Sequence, residues 1–166
     1  MSSKHMFDPK TTKSLVALLN QSLADTLDLT SQTKQAHWNV KGENFYGLHL
    51  LFDSLYEQLG GFGDEIAERA VTLGGQAIGT LRAAAKVSRL EEYPLDARDS
   101  KTHVHAMVER YETYTWQGRL AIKEAERLGD PDTADLYTSI SRAMDKALWM
   151  LKAHQDTSEA PSAKAK

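Results

Sequence analysis

Apolar residues at Leu48, Phe52, Leu55, Leu59, Phe62, Ile66, Ala70 and Leu73 follow one another at steps of 4, 3, 4, 3, 4, 4 and 3. Such steps keep to one face of an α-helix. The phase passes undisturbed through Gly60, Gly61 and Gly63, although each glycine costs about 1 kcal/mol against Ala inside a helix. Residues 46 to 73 are therefore predicted as one helix, with Gly74-Gly75 as its stop. Leu15, Leu19, Leu23 and Leu27 keep an i, i+4 stripe and predict an earlier helix from about Thr12 to Trp38. A third helix is expected from Asp99-Ser100, carrying Val104, Val108, Tyr111, Ile122 and Ala125. Asp130-Pro131 supplies a cap and a first-turn proline for a fourth, whose inner stripe reads Leu136, Ile140, Ala143, Ala147, Met150 and His154. Between the second and third helices, residues 74 to 98 form a connection long enough to cross a bundle from end to end. Its Leu81 to Val87 portion reads as a short helix, ended before Pro94. Nothing reads as a strand. The expected organisation is one all-α domain over residues 13–155, between flexible tails at 1–12 and 156–166.

The polar face of the second helix carries the chemistry. His49 and Asp53 lie one turn apart, as do Asp64 and Glu68, so each pair looks like half of a metal site. At about 1.5 Å of rise per residue the halves are separated by roughly 16 Å or more, against a metal–ligand reach of roughly 2.0 to 2.2 Å. A straight helix cannot close that site within one chain. The residue numbers, however, are symmetric: His49 and Glu68 add to 117, and so do Asp53 and Asp64. An antiparallel copy crossing between Gln58 and Leu59 would bring His49 and Asp53 of one chain against Glu68 and Asp64 of the other, twice, as a two-fold axis requires. The glycines beside the crossing would permit close backbone approach. The bland alternative is a solvated charged face with a His–carboxylate pair.

A fifth candidate, His37, ends the first amphipathic segment within Gln35-Ala36-His37-Trp38-Asn39. A lone His near a helix end is ordinarily a capping or core-edge residue. Imidazole and carboxylate at helical spacing nevertheless suit a first-row divalent metal such as Fe(II), Mn(II) or Zn(II). With no cysteine in the chain, thiol catalysis, disulfides and Cys-ligated zinc are excluded.

The run His37, His49, Asp53, Asp64, Glu68, at spacings of 12, 4, 11 and 4, resembles the ferroxidase signature of Dps, the mini-ferritin family named for DNA binding in starved cells. Further matches are Thr33 to Asn39, the DEIAERAVTL run from Asp64 to Leu73, the Tyr93-Pro94-Leu95-Asp96 turn, Thr133-Ala134-Asp135, and Asp145 to Trp149. The resemblance spans roughly residues 13 to 155. It implies a ferritin-like four-helix bundle with a long crossover, assembled as a dodecamer that oxidises Fe(II), preferentially with hydrogen peroxide, and stores the ferric product. It also implies metal sites at two-fold interfaces, with the two His and first Asp from one chain and the later Asp and Glu from its neighbour. Trp38 would intercept oxidising equivalents, or be plain interface packing. Asp135, and with it Asp132, would line a three-fold entry pore, where the plain reading is helix-dipole complementarity. Glu57 is a candidate for mineral nucleation. One departure is the Gly60-Gly61-Phe62-Gly63 run, less helix-prone than expected there.

Composition agrees without adding detail. A net charge of -3 and a charged fraction of 26% over 166 residues describe an ordinary globular chain, not a wholesale nucleic-acid binder. The N-terminus lacks an apolar signal core and no stretch reaches the roughly 18 apolar residues of a membrane span, so the cytoplasm is expected, with nucleoid association if DNA is bound. Tail lysines Lys4, Lys10, Lys13, Lys164 and Lys166 are candidates for non-specific DNA contact. A mainly architectural, DNA-compacting protein with minor iron chemistry is the alternative function. A conventional intrasubunit di-iron centre is disfavoured because no Glu-x-x-His occurs. His103 and His105 read as packing or surface residues, and Arg69 either pairs with a surface carboxylate or orients a ligand.

Overall fold

The structure, a computed structural model, describes residues 6–155. Five helices follow in order: α1 (Pro9–Asn39), α2 (Phe45–Thr72), α3 (Leu81–Val87), α4 (Ser100–Arg127) and α5 (Pro131–Ala153). The long helices form a four-helix bundle in which α1 lies along α2 and α4 along α5; α3 packs on α1. No strand occurs among the described residues.

Each helix start has a local cause. The Asp8 side chain accepts from the Lys10 and Thr11 amides, and Pro9 takes a first-turn position, so α1 begins three residues before the expected Thr12. Lys10 and Lys13 consequently stand on its first turns, both exposed. Asp99 caps α4 through the Thr102 amide, and Asp130 caps α5 through the Thr133 amide. The α2 helix ends where expected: Gly74 adopts φ +86°, a left-handed conformation that costs an L-residue with a side chain roughly 1–2 kcal/mol. Its neighbour Gly75 is pressed against Val16, whose methyl carbons would lie 2.4 and 2.5 Å from an added Cβ.

The glycine run does not break α2. Leu48, Phe52, Leu55, Leu59, Gly63, Ile66 and Ala70 are its buried positions, so one glycine stands in the core stripe where Phe62 was expected and Phe62 is only partly buried. The α5 stripe also differs from expectation. Tyr137, Ile140, Met144, Ala147 and Leu151 are buried, whereas Leu136, Ala143 and Met150 flank them partly buried and His154 is an exposed cap. The stripe turns toward Tyr137 because its hydroxyl finds a buried partner, donating to Ser22 Oγ at 2.9 Å. Two further hydroxyl pairs, Thr33 with Tyr111 at 3.1 Å and Thr26 with Tyr114 at 2.8 Å, join α1 to α4. Burial raises these phenols, Tyr114 to about 12. On α1, Leu27 is only partly buried, since that helix meets α2, α3 and α4 and buries a broad arc instead of one stripe.

Polar side chains of α1 hold the crossover in place. Asn20 Nδ2 donates to the Gln76 carbonyl at 2.9 Å and its Oδ1 accepts from the Ile78 amide at 2.8 Å. Gln21 and Gln32 donate to the Val87 and Glu91 carbonyls. The buried Asp25 accepts from the Arg89 amide and guanidinium. This series fixes where the connection runs, and with it the position of α4 beside the end of α1.

Candidate metal centre

The end of α1 and the start of α2 bring three expected ligands together. His37 and His49 stack, with ring centroids 3.8 Å apart and planes at 22°. Each Nδ1 lies 2.9 Å from the other residue's backbone carbonyl oxygen. A carbonyl only accepts, so each imidazole carries its proton on Nδ1 and leaves the Nε2 lone pair available. A carbonyl-held N–H fixes tautomer and ring orientation in this way when the opposite nitrogen ligates a metal. Asp53 completes the group: its Oδ1 lies 3.6 Å from His37 Nδ1 and 2.6 Å from Lys34 Nζ. The Lys34 hydrogen bond is the largest influence on Asp53 and holds its carboxyl below the usual range. Lys34 also lies 4.4 Å over the Tyr56 ring.

Asp64 and Glu68 are both exposed, toward the far end of α2. The spacing of 11 residues from Asp53 corresponds to roughly 16 Å of helix, and α2 is continuous across it. Among the described residues of one chain, no group of three or more His, Asp or Glu side chains is placed to hold an ion. The structure thus places the two candidate pairs, His49 with Asp53 and Asp64 with Glu68, apart on the outward face of one helix.

What surrounds them was missed in the sequence. At about 100° per residue, the arc that spans His49, Asp53, Asp64 and Glu68 also contains Tyr46, Leu50, Glu57, Gly60 and Val71. Three of these are apolar yet exposed: Tyr46 by 70%, Leu50 by 48% and Val71 by 56%. Tyr46 and Val71 share the same numerical symmetry, adding to 117. Their signal was apolar residues off the core stripe but on the ligand stripe. Gly60 and Gly61 lie mid-helix with nothing within 4 Å of an added Cβ, so nothing in the single chain requires glycine there. Trp38 is likewise 67% exposed beside His37.

Arg69 pairs with a surface carboxylate, Asp132 at 3.9 Å, as one expected reading has it, but its closer partner is a buried one. Its Nη2 donates to both Asp130 carboxylate oxygens, at 2.8 and 3.0 Å, and its Nε to Thr133 Oγ1 at 2.9 Å. The carboxylate is buried, not on the surface, so Arg69 ties the end of α2 to the start of α5. Burial alone would raise the Asp130 carboxyl; the bonds from Thr133 and Arg69 outweigh it and hold it below the usual range. A depressed folded-state value means the pair contributes stability above the unfolded carboxylate pKa and loses it as pH falls through the folded one. Arg69→Met should therefore cost about 3 kcal/mol near neutral pH by leaving a buried charge unpaired. The deficit should shrink as Asp130 protonates. Denaturant unfolding of variant and wild type at neutral and acidic pH checks this; an equal deficit at both would remove the charge explanation.

Asp132 and Asp135 are exposed on the first turns of α5, with Asp132 3.9 Å from Arg69. Glu57 is exposed on α2, and His105 is exposed on α4, whereas His103 is buried. Lys4, Lys164 and Lys166 lie outside the described residues.

A four-helix bundle with this crossover defines the ferritin-like class, and the ferritin-like domain model matches residues 16–160. The chain belongs to that family, in its Dps branch. It is 46% identical over 147 residues to the DNA protection during starvation protein of Agrobacterium fabrum, covering 88% of this chain and 91% of the relative. The fold superposes on Mycobacterium smegmatis Dps with a TM-score of 0.87 at 30% identity, covering 93% of this chain and 94% of the other. For Vibrio cholerae Dps, described as belonging to a superfamily of ferritin-like diiron-carboxylate proteins, the TM-score is 0.85 at 28% identity, with 93% and 98% covered.

Proposed function

We propose that this chain sequesters iron as a ferroxidase, oxidising Fe(II) with a preference for hydrogen peroxide and storing the ferric product inside a dodecameric shell. The observation that carries this reading is the reciprocal His37–His49 pair, in which each Nδ1–H is spent on a backbone carbonyl so that each Nε2 lone pair is free, with Asp53 on the same face that one chain leaves incomplete. His37, His49 and Asp53 of one subunit would bind Fe(II) together with Asp64 and Glu68 of its neighbour. Carboxylate oxygens are hard anionic ligands and favour the ferric product. The metal ion supplies the redox chemistry, and the protein positions it. Lys34 bonds Asp53 through Oδ1, so the second carboxylate oxygen, Oδ2, would meet the ion. The exposed Tyr46, Leu50 and Val71 would supply the apolar contact around the crossing.

Anaerobic Fe(II) titration followed by peroxide, read by ferric absorbance, tests the activity. Sedimentation tests the assembly, whose twelve copies of an 18.5 kDa chain would weigh about 220 kDa. Loss of peroxide-driven oxidation in the intact shell would overturn the reading.

Hydrated cations are drawn to clustered carboxylates, and we assign Asp135, with Asp132, to the entry route at a three-fold pore. Asp135→Asn should slow mineral growth severalfold while leaving oxidation of the first few ions per shell intact; growth at the wild-type rate would move the entry elsewhere. Shell protection of DNA, which the relatives' names carry, would involve weak phosphate contacts by Lys10 and Lys13 and by the tail lysines Lys4, Lys164 and Lys166. Repeated over twelve subunits, such contacts give salt-sensitive avidity. A gel shift should show retardation at low salt that is lost as salt rises, and no retardation at low salt would remove it. Among the described residues no helix is long and apolar enough to cross a membrane.

A further inference from the structure

His103, on α4, is 1% exposed, and it faces Tyr93 from the crossover, 3% exposed. The Tyr93 hydroxyl is hydrogen-bonded to His103 Nδ1. The rings lie 6.0 Å apart at 22°. Burial lowers the pKa of His103, while the Asn39 backbone and the Asp99 carboxylate favour its protonated form. Burial likewise raises the Tyr93 phenol. The pair is therefore neutral near pH 7, the phenol donating to the Nδ1 lone pair and the imidazole proton on Nε2. That Nε2 makes no well-aligned hydrogen bond among the described residues, and the Asn39 backbone is its nearest polar neighbour. A buried imidazole with a poorly satisfied N–H is costly, a cost that an apolar residue here would avoid.

Position and chemistry narrow the role. Asn39, beside the His103 ring, follows His37 and Trp38 in the last turn of α1. The other buried phenols, Tyr111, Tyr114 and Tyr137, are paired with the hydroxyls of Thr33, Thr26 and Ser22, which are far weaker proton acceptors than imidazole. Oxidising a phenol whose proton has nowhere to go leaves a buried cation; Tyr93 alone among these faces a base.

We propose that Tyr93 and His103 form a proton-coupled electron donor, in which Tyr93 gives one electron to a one-electron oxidant formed at the neighbouring iron site and its phenolic proton to His103 Nδ1. The origin of that oxidant rests on the ferroxidase reading. A single Fe(II) passes one electron to hydrogen peroxide, giving Fe(III), hydroxide and hydroxyl radical. The radical takes one electron, directly or through exposed Trp38, and becomes hydroxide. Tyr93 supplies that electron and becomes a neutral tyrosyl radical, while His103 becomes an imidazolium with its Nε2–H beside the Asn39 backbone. A second Fe(II) returns the electron and His103 the proton, so two Fe(II) are consumed per peroxide and no radical leaves the protein.

The pair is tested first without iron. Metal-free assembled protein is oxidised by a photogenerated ruthenium(III) polypyridyl complex, and the radical is read by electron paramagnetic resonance. A tyrosyl signal is expected that forms more slowly in deuterium oxide, is largely lost in Tyr93→Phe and His103→Leu, and persists in Tyr114→Phe. No tyrosyl signal in wild type, or an unchanged one in Tyr93→Phe, overturns the proposal whatever the iron chemistry. Because His103→Leu also alters core packing, the solvent isotope effect in wild type independently reports the proton transfer, and its absence also overturns the proposal. Freeze-quenched samples with substoichiometric Fe(II) and peroxide should show the same Tyr93-dependent signal. Its absence while Fe(II) is oxidised overturns the link to the iron site, whereas absence of oxidation itself is a failure of the ferroxidase reading.

Discussion

In the His49→Ala/Asp53→Ala variant, Fe(II) oxidation by peroxide should fall to the rate of iron in protein-free solution, with helical content by circular dichroism retained. The side chains lie on the solvent-facing arc of α2, not in the stripe of Leu48, Phe52, Leu55 and Leu59 that packs the bundle. Their removal deletes an imidazole nitrogen and a carboxylate while emptying no core volume. His37 remains but loses the ring on which it stacks. A stopped-flow trace indistinguishable from wild type in the metal-free double variant would reject these residues as ligands.

The second expectation concerns where the rest of the site comes from. Asp64→Ala/Glu68→Ala should be as inactive as the first variant, yet shells assembled from both should regain activity. At a mixed interface one site draws His49 and Asp53 from the second variant and Asp64 and Glu68 from the first; the other lacks all four. Random pairing makes about half of the interfaces mixed, so roughly one quarter of wild-type sites should return. A site closed within one chain predicts no recovery at any mixing ratio. Mixed shells verified by mass spectrometry and still inactive would sink the shared arrangement.

The long periodic features of the fold were legible, and the exceptions have local causes. Leu81–Val87 and the Asp99 and Asp130 caps could be read because their signals are local. The register of α5 could not, because Tyr137 enters the core through a hydroxyl partner on another helix, and hydropathy assigns that place to Leu136. The first turn of α1 was placed late because Asp8 and Pro9 precede any apolar periodicity. Within the candidate site, residue types and spacing named the candidate ligands, but not the exchange of Nδ1–H bonds between His37 and His49, since backbone carbonyl positions leave no mark in a sequence. The closer partner of Arg69 escaped notice for a related reason: Asp130 is at once a helix cap and a buried anion, and only the first role shows in its neighbours.

The bare backbone at Gly60 and Gly61 bears on timing. Two glycines weaken α2 by about 2 kcal/mol relative to alanines, and they lie between the half-sites, in the stretch that a second chain would cover. A newly made subunit would then hold its half-sites on a helix most easily frayed at its middle, and the geometry that lets iron react would arrive only with the partner. Peroxide chemistry would be withheld from loose subunits in open solvent and switched on where the product can be enclosed. The glycines would serve that ordering by letting a second backbone approach closely, and alanines in their place would obstruct the contact that completes the site.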